Sequence, residues 1–102
     1  MVNVAIVEDE DAAAAILSNC LDKYASAKRG GVEFSVCRYH DAVSFLENYR
    51  SRFDIVFMDI QLPDLDGMEA AKKLRRLDSS VTLIFVTNMA NFAVRGYEVD
   101  AL

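Results

Sequence analysis

The stretch Phe53-Asp54-Ile55-Val56-Phe57-Met58-Asp59-Ile60-Gln61-Leu62-Pro63-Asp64-Leu65-Asp66-Gly67 decides the fold. Its apolar run, Ile55–Met58, begins with two β-branched residues and halts at a carboxylate, Asp59. A run that is apolar on both faces suits a strand buried between two layers of helices. Pro63 and Gly67 then punctuate a loop that restarts as a helix. A carboxylate at the C-terminal end of a central parallel strand lies where open α/β sheets place their chemistry.

Outward from this stretch, strands and helices alternate. Val2–Val7 is short, apolar and β-branched, and Glu8-Asp9 follow it at once, so a first buried strand has an acidic exit. From Asp11 the period changes: Ala13, Ile16, Leu17, Cys20, Leu21 and Tyr24 recur at three- and four-residue steps. That stripe predicts an amphipathic helix facing the core, with Asp11 as cap or first-turn acid. Lys28-Arg29 suit its C-terminal dipole and Gly30-Gly31 break it. The segment from Val32 to Tyr39 alternates apolar and polar residues, which predicts a strand with one exposed face near a sheet edge.

His40-Asp41 open a second helix through Ala42, Phe45, Leu46 and Tyr49. After Gly67 a third helix turns Met68, Ala71, Leu74 and Leu77 inward, with Lys72, Lys73, Arg75 and Arg76 largely outward. The segment from Val81 to Val86 reads as another buried strand, stopping at Thr87-Asn88. Met89 to about Val99 reads as a fourth helix weakened by Gly96. The predicted fold is therefore α/β: a flavodoxin-like doubly wound parallel sheet, order 2-1-3-4, with right-handed crossovers. Four strands and four helices leave that architecture without a fifth strand and a fifth helix.

Composition narrows the function classes. The 102 residues amount to one domain, 53% apolar and 26% charged, which is globular rather than disordered. A net charge of −5 argues against non-specific nucleic-acid binding. The acid-rich start lacks the basic region of a secretory signal, and no apolar stretch reaches membrane-spanning length. Cys20 and Cys37 have no metal-ligand spacing and fall at apolar positions, so they read as buried free thiols of a reducing compartment. The expectation is a cytoplasmic protein without a membrane contact.

In a 2-1-3-4 sheet the exits of strands one, three and four are neighbours. Glu8, Asp9, Asp59 and Thr87 then converge on one rim. Massed carboxylates are costly unless a cation neutralises them or protons are taken up. Hard oxygen ligands in a small shallow cluster suit Mg²⁺. A carboxylate beside that ion can attack a phosphoryl group. A hydroxyl at Thr87 could then hydrogen-bond the transferred group.

These residues carry a resemblance. Val4-Ala5-Ile6-Val7-Glu8-Asp9-Glu10, then Asp59 with Pro63 and Gly67, then Phe85-Val86-Thr87 resemble the receiver domain of two-component response regulators. The blocks occur in order over essentially the whole chain. The tail from Thr87 to Leu102 resembles the LytTR-type (LytR/AlgR) branch. The resemblance implies that Asp59 accepts phosphate from a sensor histidine kinase. It implies Mg²⁺ held by Asp9 and Asp59, by Glu8 directly or through water, and by the Gln61 carbonyl. Thr87 would be the switch hydroxyl. Pro63, Asn88 and Met89 would flank the pocket, with Gln61 and Met89 tuning the lifetime of the phosphate. Such a module is a phosphoacceptor rather than an enzyme, its self-catalysed phosphorylation and dephosphorylation aside.

The departures qualify this. The family's fifth-strand lysine and aromatic have no counterpart, and Lys72 and Lys73 on the third helix cannot stand in. The ending at Leu102 is expected to mark a fragment of a longer regulator, residues 1–102 being its receiver and a DNA-binding output domain lying outside them. Strand four would then be an open edge, and the first helix and one sheet face would lose cover, which predicts self-association. Impaired phosphorylation is expected with the lysine missing.

Other readings weigh less. A phosphorylation-independent interaction module would keep the fold without the switch. A flavodoxin-like cofactor-binding protein would need a Gly/Ser/Thr phosphate loop after strand one, where only acids stand. His40 reads as a turn or capping residue before the second helix, on a different part of the sequence from the acidic rim. Lys72, Lys73, Arg75 and Arg76 read as a solvated helix face. Met89, Phe92, Ala93 and Tyr97 suit core and partner face equally.

Overall fold

The computed structural model describes residues 1–27, 31–50, 52–62 and 64–86. In chain order these form β1 (Val2–Val7), α1 (Asp11–Ala27), β2 (Phe34–Tyr39), α2 (Ala42–Glu47), β3 (Ile55–Met58), α3 (Gly67–Leu77) and β4 (Thr82–Phe85). The strands join in one parallel sheet of order β2-β1-β3-β4. The expected order and the edge position of the second strand are both borne out. Among the described residues there are four strands and three helices. The expected fourth helix from Met89, the helix-ending Lys28-Arg29-Gly30, and Pro63, Thr87, Asn88 and Met89 lie outside the described residues.

Strand alternation divides the core in two. Ala5, Val7, Val56, Met58 and Leu83 point to the face covered by α2 and α3, where they meet Phe45, Met68 and Leu74. Val4 and Ile6 point to the opposite face, beneath Ala14 and Leu21 of α1, with Ile55 and Phe57 packed partly buried beside them. The central strand β1 is therefore buried on both faces, as its unbroken apolar run requires. β2 differs from expectation. It is half-buried along its whole length, because Phe34 and Val36 pack on the α1 side and Cys37 and Tyr39 on the other.

Two helix faces are also corrected. On α1 the inward residues are Ala14, Leu17 and Leu21, whereas Ile16 is 66% exposed, Tyr24 is 51% exposed and Cys20 is exposed. The alanine run at residues 12–15 carries almost no phase information, so the sequence stripe is rotated from the real one. Cys20 is therefore not a buried thiol and Cys37 is only partly covered, although both are free. Leu77, the last residue of α3, is 54% exposed rather than inward. Tyr49 follows α2 rather than belonging to it, and its ring packs on Phe45 and Phe53. Arg75 is half-buried and donates to the Val81 carbonyl.

Candidate functional site

The acidic rim is assembled by backbone pairing. Glu8 continues the β1–β2 ladder by one step, its N–H donating to the Tyr39 carbonyl at 3.0 Å. Asp59 does the same between β3 and β1, donating to the Val7 carbonyl at 3.1 Å. Both acids thus leave the sheet at one end, side by side. One carboxylate oxygen each from Glu8, Asp9 and Asp59 falls within 4.8 Å of the others. Glu8 and Asp59 are half-buried and Asp9 is exposed.

Glu8 is perturbed by its place at the sheet end. Burial pushes the Glu8 carboxyl from 4.5 up to about 7. The Glu10 N–H, 3.2 Å from Glu8 Oε2, opposes that rise, while Asp9 and Asp59 add to it. Burial is thus the main reason the Glu8 carboxyl holds its proton more tightly, and the neighbouring acids add to it. Three hard oxygen donors this close also fit a small divalent cation.

The loop after Asp59 is held at three points. The Gln61 N–H donates to Asp59 Oδ1 at 3.0 Å, orienting the acid. Asp64 reaches across to α2, accepting from the N–H of Ala42 at 3.2 Å and of Val43 at 2.9 Å. Burial works to raise the Asp64 carboxyl, but these N–H groups and those of its own loop outweigh it and hold it below the usual range. Gly67 then donates to the Ile60 carbonyl at 2.8 Å. A side chain at Gly67 would place its Cβ 2.5 Å from Ile60 Cα and 2.6 Å from the Asp59 carbonyl oxygen. Only glycine lets α3 start this close to the exit of β3.

Sequence reasoning missed Arg38 and Asp64. Arg38 is the one cation of β2, on the strand face it shares with Phe34 and Val36. A charged residue on an otherwise apolar strand face was the available signal. His40 lies where expected, exposed in the turn after β2, and of the two roles it takes the turn, since Asp41 supplies the cap of α2. Its Nε2 lies 3.6 Å from Asp11 Oδ1, which is outside the cluster of Glu8, Asp9 and Asp59.

The response regulator receiver domain family matches residues 4–102. This chain belongs to that family. The receiver is 35% identical over 102 residues to the sensory transduction protein LytT of Bacillus cereus, covering all of this chain and 39% of that protein. It is 29% identical over 100 residues to the positive alginate biosynthesis regulatory protein of Pseudomonas aeruginosa, covering 98% of this chain and 39% of that one. Among solved structures, the response regulator TrrA of Thermotoga maritima, in complex with Mg²⁺ and BeF, superposes with a TM-score of 0.82. Its sequence is 19% identical, with 99% of this chain and 84% of that one covered. The non-phosphorylated HemR receiver domain of Leptospira biflexa gives a TM-score of 0.81 at 23% identity, covering 99% and 77%. The resemblance to the LytR-type branch is thus matched by curated relatives, and the receiver spans about two-fifths of their length (39%).

Proposed function

We propose that this receiver accepts a phosphoryl group on Asp59 from the phosphohistidine of a sensor histidine kinase. The observation that carries the reading is the convergence of Glu8, Asp9 and Asp59 at the C-terminal ends of β1 and β3. In the transfer, an Asp59 carboxylate oxygen forms a bond to phosphorus. The phosphorus–nitrogen bond of the donor breaks, and its electron pair leaves on the imidazole. Glu8, Asp9 and Asp59, with the main-chain carbonyl of Gln61, would hold Mg²⁺. When bound, that ion supplies the positive charge that offsets repulsion between the carboxylate and the phosphoryl oxygens. The Gln61 N–H fixes the Asp59 carboxylate at Oδ1, so the acceptor is oriented before a donor arrives. Thr87 is assigned the switch hydroxyl, and Pro63, Asn88 and Met89 the pocket edge, on the sequence resemblance.

The regulatory part of the proposal extends beyond this chain. Residues 1–102 act as the receiver, and contact with DNA belongs to an output domain outside them. The greater length of the LytT and alginate-regulator relatives supports this. Self-association through β4, the last strand of the described sheet, is proposed from its edge position and from Val86, which is 41% exposed. Light scattering showing a monomer at high concentration would remove that part alone.

Titrating Mg²⁺ while following amide resonances separates this reading from a cofactor-binding protein. Shifts at Asp9, Asp59 and Gln61 support it, and their constancy overturns it. The alternative of a phosphorylation-independent interaction module is weakened by the complete acidic set, and labelling with a small phosphodonor decides against or for it.

A further inference from the structure

We infer that Arg38 is a positioning residue for the metal-binding acids, an assignment that rests on the receiver reading of Glu8 and Asp9. Its guanidinium donates to the Glu8 carbonyl twice, from Nε at 3.1 Å and from NH2 at 2.8 Å. The third nitrogen, NH1, lies 2.6 Å from Asp11 Oδ1. One side chain therefore ties both ends of the connection between β1 and α1, and that connection carries the two acids. The anchor is the second-last residue of β2, and this strand is held along its length to β1.

The surroundings favour a structural fork over a free surface charge. The Arg38 side chain is 23% exposed, while its partner Asp11 is 86% exposed. The contacts to Glu8 are to main chain, so Arg38 does not occupy the carboxylate that faces Asp9 and Asp59. A planar guanidinium can serve two acceptors in fixed directions at once. A lysine ammonium is a point charge on a flexible stem and cannot. Groups that orient metal-ligating residues in this way typically change metal affinity roughly 10- to 100-fold when removed.

The sign of the effect makes the inference testable. If Arg38 mattered only as a nearby positive charge, removing it would make the acidic cluster more negative and tighten Mg²⁺ binding. As a positioning residue, its removal loosens the connection and weakens binding. The experiment titrates Mg²⁺ alone into the full chain and into Arg38→Met, Arg38→Lys and Tyr49→Phe, following amide shifts well below each variant's melting temperature. Arg38→Met keeps the apolar stem, and Arg38→Lys keeps the charge. Tyr49→Phe removes the bond to Asp78 and reports what general destabilisation does. The expected result is a Kd about tenfold weaker in both Arg38 variants, with Tyr49→Phe unchanged. Unchanged or tighter binding in Arg38→Met overturns the positioning role, as does wild-type affinity in Arg38→Lys. A wild-type chain that fails to bind Mg²⁺ overturns the metal site itself, and the two failures are read from different arms.

Discussion

Gly67 sits against the exit of β3 so closely that its N–H reaches the Ile60 carbonyl at 2.8 Å. The start of α3 and the residue after Asp59 are thereby welded into one unit, and no side chain fits between them. Gly67→Ala would have to push backbone against backbone, which costs about 1–3 kcal/mol or more in a packed site. Urea unfolding should show that loss, and the amide resonances of Asp59 and Gln61 should shift with it. A variant as stable as the parent would contradict the close approach.

Tyr49 and Asp78 link α2 to the end of α3, the hydroxyl donating to Asp78 Oδ2 at 2.5 Å. That bond, then the Ser80 and Val81 N–H groups, hold the Asp78 carboxyl below its ordinary 3.8. A carboxyl lowered on folding stabilises the native state above its unfolded value and loses that contribution as pH falls through the folded one. Tyr49→Phe should therefore cost about 1 kcal/mol at neutral pH. The difference between parent and variant should shrink in acid once Asp78 is protonated. Denaturant titrations of the pair over the acid range measure this directly.

Asp64 joins the loop after Asp59 to the first turn of α2 through the N–H groups of Ala42 and Val43. Asp64→Ala leaves these donors to water and should cost about 1 kcal/mol, as loss of a helix cap does. Hydrogen exchange should accelerate at Ala42 and Val43 while the central strand keeps its protection.

Glu8 makes the opposite pH prediction for the metal-free protein. Its folded form keeps a proton between 4.5 and about 7, where the unfolded chain has released it. Stability attributable to Glu8 therefore falls as pH rises through that window. In the presence of EDTA, Glu8→Gln should be less affected by pH than the parent over the same range. Parallel melting-temperature curves for the two proteins would refute this.

Much of the architecture was legible because the strands are written as apolar runs ending in acids. β1 and β3 have the expected bounds, and the edge position of β2 followed from its alternation. The helices were less legible where composition is uniform. Four consecutive alanines gave α1 no phase, so Ile16, Cys20 and Tyr24 were turned inward when the sheet meets Ala14, Leu17 and Leu21. At the site, the acids are local signals at strand exits and could be read directly. Arg38 and Asp64 could not, since each acts on a backbone group 30 and about 22 positions away in sequence. Such contacts exist only once parallel strands have been laid side by side.

The central claim is that Asp59 is the phosphoacceptor of an acidic, Mg²⁺-dependent site. Intact-mass analysis after incubation with a small phosphodonor tests it most directly, with Mg²⁺ or EDTA present and with Asp59→Asn alongside. The predicted result is a single added phosphoryl group in Mg²⁺, absent in EDTA and absent in Asp59→Asn. Labelling that persists in Asp59→Asn, or labelling of the parent that is the same in EDTA as in Mg²⁺, would contradict it.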